Sequence, residues 1–214
     1  MIDETLEWRD SDDTVEGAEL EAKLIERLVA RDERAFNELV RSYERRVFGL
    51  VFRMLGSRAE AEDLTQEVFV QVFKAIGTFR GDSKLSTWIY RIAVNLCKNR
   101  TKYLRVRHAG EQDPIDDMAE RLQPSAARHA NVAQVDRPDE AMAGRQVEEI
   151  VRQAIGEVDE GFRECLILCD VEELSYEEIA EITQLPAGTV KSRIFRARAQ
   201  LREIVERKLG EKIR

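Results

Sequence analysis

The sequence has few residues that form tight turns, few cysteines and no long apolar run. Four prolines and eleven glycines in 214 residues are too few for the turns of a β-sandwich or barrel. No run of about 18 apolar residues occurs, and the N-terminal segment lacks the basic and apolar parts of a secretion signal. Three cysteines do not make a disulfide framework. We therefore expect a cytoplasmic protein without membrane insertion.

The net charge is −8, because 42 Asp and Glu outnumber 34 Lys and Arg, but positive charge is concentrated in two segments. Asp82 is the only acid in the basic segment 80–107, and the basic segment 186–202 contains no acid. Residues 1–21 and 109–140 are rich in Asp and Glu. Two basic segments in an acidic chain predict two local contacts with a polyanion. Solvated helix faces are the alternative interpretation.

Helical periodicity predicts an all-α fold of two small domains joined by a flexible acidic linker. Apolar residues recur at intervals of three and four from Phe36 to Met54. Ser57 and Ser175 are each followed three residues later by a glutamate, which predicts capping boxes. The acidic linker contains three prolines and shows no helical periodicity of apolar residues, which predicts an extended segment. The predicted divisions are an acidic N-terminal extension (1–23), a first domain (24–107), the linker (108–140), a second domain (141–208) and a C-terminal tail (209–214).

The stretch 175–198 has the pattern of a helix-turn-helix, centred on Tyr176 to Phe195. A short helix, a three-residue turn and a basic helix beginning near Pro186 follow one another. Apolar and polar residues occupy opposite sides of the basic helix, so its polar side suits the major groove of duplex DNA. An amphipathic surface helix is the alternative. The predicted DNA-binding residues are Gly188, Thr189, Lys191, Ser192, Arg193, Phe195, Arg196 and Arg198.

The first basic segment predicts a contact with single-stranded DNA. Five residues fall within about 60° on a helical wheel: Lys84, Arg91, Asn95, Lys98 and Lys102. We call the first four of them the basic rail. A line of positive charge with interleaved aromatic residues suits phosphates and splayed bases. Trp88 lies in this segment, where it can either stack on a base or pack in the core.

Three motifs together resemble the extracytoplasmic-function sigma factors of bacterial RNA polymerase, the RpoE-like members of the sigma-70 family. They are Asp63-Leu-Thr-Gln-Glu-Val-Phe-Val70, the block 79–99, and the helix-turn-helix with Gly188-Thr-Val-Lys-Ser-Arg193. The resemblance assigns 24–107 to sigma region 2 and 141–208 to sigma region 4. It implies an alternative sigma factor for promoter recognition and DNA melting, in a stress response, without enzymatic activity or a cofactor.

The resemblance also implies partners and residue roles. Core RNA polymerase would be bound through its β′ clamp helices and β flap, promoter DNA as duplex at −35 and single strand at −10, and an anti-sigma factor would inhibit the protein. The helix-turn-helix residues would bind the −35 element. The residues implied for the clamp helices are Asp63, Gln66, Glu67, Phe69 and Val70. Those implied for the −10 element are Phe79, Arg80, Asp82, Ser83, Lys84, Trp88, Arg91, Asn95 and Lys98.

Other interpretations are weaker. A stand-alone helix-turn-helix regulator would not need the first two motifs, and an enzyme lacks both a phosphate-binding glycine loop and a nucleophile–base pair. Cys165 and Cys169 have the spacing of a metal or redox pair, but the only histidines are His108 and His129. We expect these cysteines to fill the core and no metal to be bound. A two-domain chain of this kind is expected to leave both basic faces open in the absence of polymerase.

Overall fold

The computed structural model describes residues 15–110 and 149–210, and all regular structure in these ranges is helical. Most of the predicted acidic extension, linker and tail, and the start of the second domain, lie outside the described residues. The helices are α1 Val15–Val29, α2 Glu33–Leu55, α3 Arg58–Ala75, a 3-10 turn Ile76–Thr78, α4 Leu85–Gly110, α5 (described over 149–157), α6 Glu160–Asp170, α7 Tyr176–Thr183 and α8 Ala187–Leu209. The prediction of an all-α fold with two helical domains is confirmed.

The first domain comprises α1 to α4, and its helix boundaries follow from local sequence. Gly56 has φ 76° and ends α2 in the left-handed conformation that glycine adopts without strain. The Ser57 hydroxyl accepts a hydrogen bond from the Glu60 backbone N–H at 3.4 Å. The Glu60 carboxylate turns away to Arg100 of α4, at 2.6 Å. Only half of the capping box predicted here is formed, because an ion pair replaces the second half.

The core of the first domain lies between α2, α3 and α4, which pack against one another. Leu39, Leu50, Leu64 and Ile89 are fully buried there, each stabilising the fold by about 1.5–3 kcal/mol relative to exposure. Trp88 is also buried, with its ring 5.4 Å from that of Phe79. The structure therefore supports the core alternative for Trp88 over stacking on a base.

Helix α1 shows that the helical domain begins earlier than predicted. The predicted boundary between residues 23 and 24 falls inside α1, whose Leu24 and Leu28 are buried. Glu21 Oε1 accepts a hydrogen bond from the Leu85 backbone N–H at 2.8 Å. The glutamate thus satisfies one of the unpaired N–H groups at the start of α4. Acidic residues of the extension are in part structural.

The second domain comprises α5 to α8. Ser175 and Glu178 form the complete capping box predicted for α7, with the Glu178 carboxylate accepting from the Ser175 N–H at 2.9 Å. Gln184, with φ 58°, makes the turn into α8. Leu166 of α6 packs in a separate buried cluster, to which α8 contributes Ala197, Ile204 and Val205.

The two domains pack directly against each other. Helix α4 contacts α7, and α2 contacts α6. One cluster of buried apolar side chains contains Ile89 and Cys97 of α4 together with Leu168 and Ile182 of the second domain. The Arg163 guanidinium donates a hydrogen bond to the Met54 carbonyl at 3.4 Å, near the end of α2. The apolar core thus runs across the domain boundary.

Replacing Glu21 tests its role at the start of α4. Glu21→Ala is expected to lower the free energy of unfolding by about 1 kcal/mol, the usual cost of losing a helix cap. The measurement is chemical denaturation followed by circular dichroism. Glu19→Ala, which removes an exposed acid of the same helix, is the control. Equal stability of both variants and the unchanged protein would contradict the assignment.

Candidate nucleic-acid and polymerase interface

Helix α3 presents the first candidate surface. Asp63, Gln66 and Val70 are exposed along it, and Asp63 makes no ion pair within the described ranges. Phe69 was predicted to contact the polymerase, but its side chain is only 6% exposed. This assignment needs correction, because a side chain packed in the core supports the helix from the inside and has little surface to offer a partner.

The structure adds Phe73 to this surface. A phenylalanine is usually buried, but 42% of the Phe73 surface is exposed. It follows Gln66 and Val70 at helical spacing, so the three residues share one face. The Arg31 guanidinium lies 4.7 Å from the centre of the Phe73 ring and donates to the Phe73 carbonyl. The spacing was visible in the sequence, but exposure depends on how α1 and α2 pack.

Glu67 differs from Asp63 in its surroundings. Arg100 of α4 binds it through Nη2 at 3.5 Å while Nη1 binds Glu60. The Glu67 charge is therefore shared with an arginine of the same domain. Asp63 is the more available carboxylate on α3.

The loop before α4 is held at one end and exposed in its middle. Phe79 packs against Trp88 and is half-buried, whereas Arg80 and Asp82 are exposed. Gly81 between them has φ 74°, which lets the chain turn sharply without strain. Ser83 is partly exposed. The packing of Phe79 on Trp88 anchors the loop. The loop can therefore present Arg80 and Asp82 to a ligand.

The basic rail is occupied by the second domain. Lys84 Nζ lies 3.7 Å from Glu178 Oε1, and Arg91 Nη1 lies 3.4 Å from Glu181 Oε1. At the C-terminal end of the basic rail, Lys98 Nζ lies 3.0 Å from a carboxylate oxygen of Glu164. Asn95 remains exposed between them. The expectation that this basic face is open is wrong for the structure, because acids of α6 and α7 neutralise it.

Glu164 is an unusual partner for a surface lysine. It is 4% exposed, and its Oε1 atom has no hydrogen-bond partner within the described ranges. Burial raises the pKa of this carboxyl, while Lys98 and Arg193 oppose the shift. A buried oxygen without a partner costs about 1–3 kcal/mol. The interface between the domains therefore contains one buried carboxylate oxygen, Glu164 Oε1, that has no hydrogen-bond partner among the described residues.

A second polar contact joins the domains beside the rail. The Tyr90 hydroxyl donates to Glu172 Oε2 at 3.1 Å, and Arg53 Nη1 lies 4.0 Å from Glu172 Oε1. Burial raises the pKa of Tyr90, and the negative charge of Glu172 adds to the shift. Tyr90 therefore stays a neutral hydrogen-bond donor at physiological pH.

Helix α8 presents the last candidate surface, on its solvent side. The exposed residues there are Gly188, Lys191, Ser192, Phe195 and Arg196. Phe195 is 77% exposed, which is unusual for a phenylalanine. Thr189 is partly exposed.

Two of the predicted −35 arginines are engaged inside the second domain. Arg193 Nη1 donates to the Gly161 carbonyl at 2.9 Å, and Arg198 Nε donates to Asp170 Oδ2 at 2.9 Å.

Lys191 and Arg196 make no ion pair within the described part of the chain. The Arg196 guanidinium lies 6.0 Å from the centre of the partly exposed Phe162 ring of α6. Because neither side chain is held by an ion pair, Lys191 and Arg196 are better placed to reach DNA than Arg193 and Arg198.

Cys165 and Cys169 are surrounded by side chains of the protein. Cys165 belongs to the buried cluster, and burial raises its pKa to about 11. Cys169 is half-buried, with Sγ 3.6 Å from Arg198 Nη2. Among residues 15–110 and 149–210 no group of His, Cys, Asp and Glu is arranged to hold a metal ion. In the same ranges no helix is long and apolar enough to cross a membrane.

Two family models match the chain, one in each domain. Sigma-70 region 2 matches residues 39–107, and Sigma-70, region 4 matches residues 148–201. The RNA polymerase sigma-H factor of Pseudomonas aeruginosa is 40% identical over 194 residues, covering 90% of this chain and 97% of the relative. The ECF RNA polymerase sigma-E factor of Escherichia coli is 38% identical over 195 residues, covering 89% and 95%.

The fold is similar to two solved structures. CnrH, in complex with the cytosolic domain of CnrY, aligns with a TM-score of 0.58 over 87% of this chain and 97% of its own. The sigma factor RpoE of Bartonella quintana, in complex with the anti-sigma factor NepR, aligns with a TM-score of 0.62 over 80% and 96%. Both are 22% identical to this chain, so the likeness concerns the fold.

Proposed function

Because this chain belongs to the extracytoplasmic-function sigma factors of the sigma-70 family, we propose that three separate surfaces carry its contacts with core RNA polymerase and promoter DNA. As a member, it binds core polymerase and directs it to promoters for transcription initiation. The observation that carries this conclusion is the match of both sigma regions, in order, in a chain that covers 97% of the sigma-H relative. Sigma factors act by binding, and we propose that this one has no catalytic activity.

The polymerase surface in this proposal is the exposed face of α3. Asp63, Gln66, Val70 and Phe73 combine one free carboxylate, one amide and two apolar side chains. Such a mixture of polar and exposed apolar side chains is typical of a protein interface. Its exposure leaves it accessible to the β′ clamp helices implied by the family.

The −10 surface comprises the loop before α4 and the basic rail. Arg80 and Asp82 offer a donor and an acceptor to a base turned out of the stack. The rail then follows the phosphates of the melted non-template strand. Binding of unpaired bases offsets the cost of melting, so promoter opening needs no ATP in this scheme. Phe79 and Trp88 act from the core, by holding the loop.

The −35 surface is the solvent side of α8. Arg196 can bind a base edge with its forked guanidinium, while Lys191 neutralises a phosphate. The exposed Phe195 suits apolar contact with a thymine methyl group. Gly188 has nothing within 4 Å of a Cβ position, so close approach to the DNA backbone is sterically free.

Regulation completes the proposal. The solved relatives CnrH and RpoE were each captured with a protein partner, and NepR is an anti-sigma factor. We infer that this chain too has a cognate anti-sigma factor, that it serves a stress response and that it acts in the cytoplasm. A stand-alone helix-turn-helix regulator is disfavoured, because such a protein has no use for sigma region 2.

Charge reversal at Asp63 tests the polymerase surface. Asp63→Lys is expected to weaken binding to core polymerase by about 1–2 kcal/mol, because an exposed interface charge is inverted. The measurement is fluorescence titration of labelled protein with core enzyme. Glu62→Lys, which alters the neighbouring exposed acid and its pair with Arg58, should bind normally. Equal losses in both variants would contradict the assignment.

Truncation of Arg196 tests the −35 surface. With holoenzyme on promoter variants, Arg196→Ala is expected to cost about 1–3 kcal/mol and to relax selectivity at one base position. Lys191→Ala is expected to weaken all promoters alike, because a phosphate contact carries no sequence information. Unchanged selectivity in the Arg196 variant would remove this residue from base recognition.

A further inference from the structure

An open groove lies between the end of α1 and the first half of α2. Its volume is about 470 Å³, which is within the range of small-molecule sites. None of its lining residues belongs to the polymerase surface, the −10 surface or the −35 surface proposed above. They are Arg27 of α1 and Arg34, Asn37, Glu38, Arg41 and Ser42 of α2.

The fold creates the positive charge of this groove. Residues 26–45 contain five arginines and five acids, which give no net charge. Three of these arginines line the groove, whereas Glu38 is the one lining acid. The positive charge is therefore local, and it lies within a stretch of chain that is otherwise balanced.

Arg27 offsets the negative charge of the groove. Its Nε atom lies 2.9 Å from Asp32 Oδ2, and its Nη1 atom lies 3.0 Å from Glu38 Oε2. The second of these contacts joins α1 to α2 along the groove. Because Arg27 faces the carboxylate of Glu38, the charges of the two remaining arginines are not balanced by the lining.

Arg34 and Arg41 are exposed and make no ion pair within residues 15–110 and 149–210. They are seven residues apart, or about two helical turns, so both project from one side of α2. Two guanidinium groups at one groove repel each other. An anion between them would replace this repulsion with two attractive contacts, and the guanidinium fork matches a phosphate group.

The lining favours a small anion that is rich in hydrogen-bond acceptors. The Ser42 hydroxyl donates to the Glu38 carbonyl at 2.9 Å, so the donors left for a ligand are the arginines and the Asn37 amide. The lining has no aliphatic or aromatic side chain to hold a base or an acyl chain. A long nucleic-acid strand would also approach the exposed acids Glu33 and Glu44, which would repel it.

We propose that this groove is a binding site for a short chain of phosphate groups, either inorganic or at the end of a nucleotide. Arg34 and Arg41 bind the phosphates, and Arg27 holds α1 beside them. The bound ligand bridges α1 and α2, so it stabilises the folded chain. The site does not depend on the DNA or polymerase contacts, and it can be tested without either partner.

Calorimetric titration of the full chain with inorganic tripolyphosphate tests the site. Arg34→Gln and Arg41→Gln are each expected to weaken binding several-fold. The double variant is expected to weaken it at least about tenfold, because two charged hydrogen-bond donors are lost. Circular dichroism checks that the variants fold.

Arg45→Gln is the matched control. Arg45 is an exposed arginine of the same helix, one turn beyond Arg41, and it does not line the groove. The control removes the same charge as each single variant and should leave the affinity for tripolyphosphate unchanged. An equal loss in all three single variants would show a general charge effect and overturn the proposal.

Thermal unfolding provides a second readout. Tripolyphosphate should raise the Tm of the unchanged protein and of the Arg45→Gln variant, but not that of the double variant. ATP should bind no more tightly than tripolyphosphate, because the groove offers nothing to the adenine ring. Absence of binding to the unchanged protein, or equal affinity for inorganic sulfate, would refute the site.

A single-stranded oligonucleotide, titrated in parallel, separates this site from a DNA surface. Its affinity for the full chain should be the same in the unchanged protein and in the double variant. If the oligonucleotide required Arg34 and Arg41 and tripolyphosphate did not, the groove would belong to a DNA surface and the proposal would be wrong.

Discussion

The positive charge along one side of α4 constrains the rest of the structure, because it must be neutralised by one partner at a time. In this structure the partners are carboxylates of α6 and α7. In the proposed function the partner during transcription initiation is the phosphate backbone of DNA. Three glutamates, Glu164, Glu178 and Glu181, provide the internal partner.

Packing and electrostatics contribute differently to this arrangement. The buried cluster that crosses the domain boundary supplies non-directional attraction. The ion pairs of Lys84, Arg91 and Lys98 add directional contacts, because each joins one base to one carboxylate. Two further hydrogen bonds fix single points of the structure. Glu21 accepts from the backbone N–H at the start of α4, and Arg163 donates to a backbone carbonyl near the end of α2. Helix α4, which carries most of the proposed basic rail, is therefore positioned by Glu21 at its start and by the second domain beside it.

Much of this could be predicted from the sequence, because helices and caps depend on neighbouring residues. The apolar period and the Ser175 capping box are local patterns, and both are found in the structure. The pairing of Arg91 with Glu181 spans 90 residues, and no local pattern identifies such a partner. Exposure of Phe73 and engagement of Arg193 by the Gly161 carbonyl likewise depend on tertiary packing. The sequence thus reveals which residues are basic, but the fold decides which of them are free.

The claim that the rail has one partner at a time is tested most directly by titrating the free protein with −10 single-stranded DNA. The interdomain distance and the bound fraction would be followed in the same sample. The distance is expected to increase in proportion to the DNA bound, and an oligonucleotide of duplex −35 sequence is expected to have no such effect. Saturation with single-stranded DNA while the domains remain in contact would contradict it.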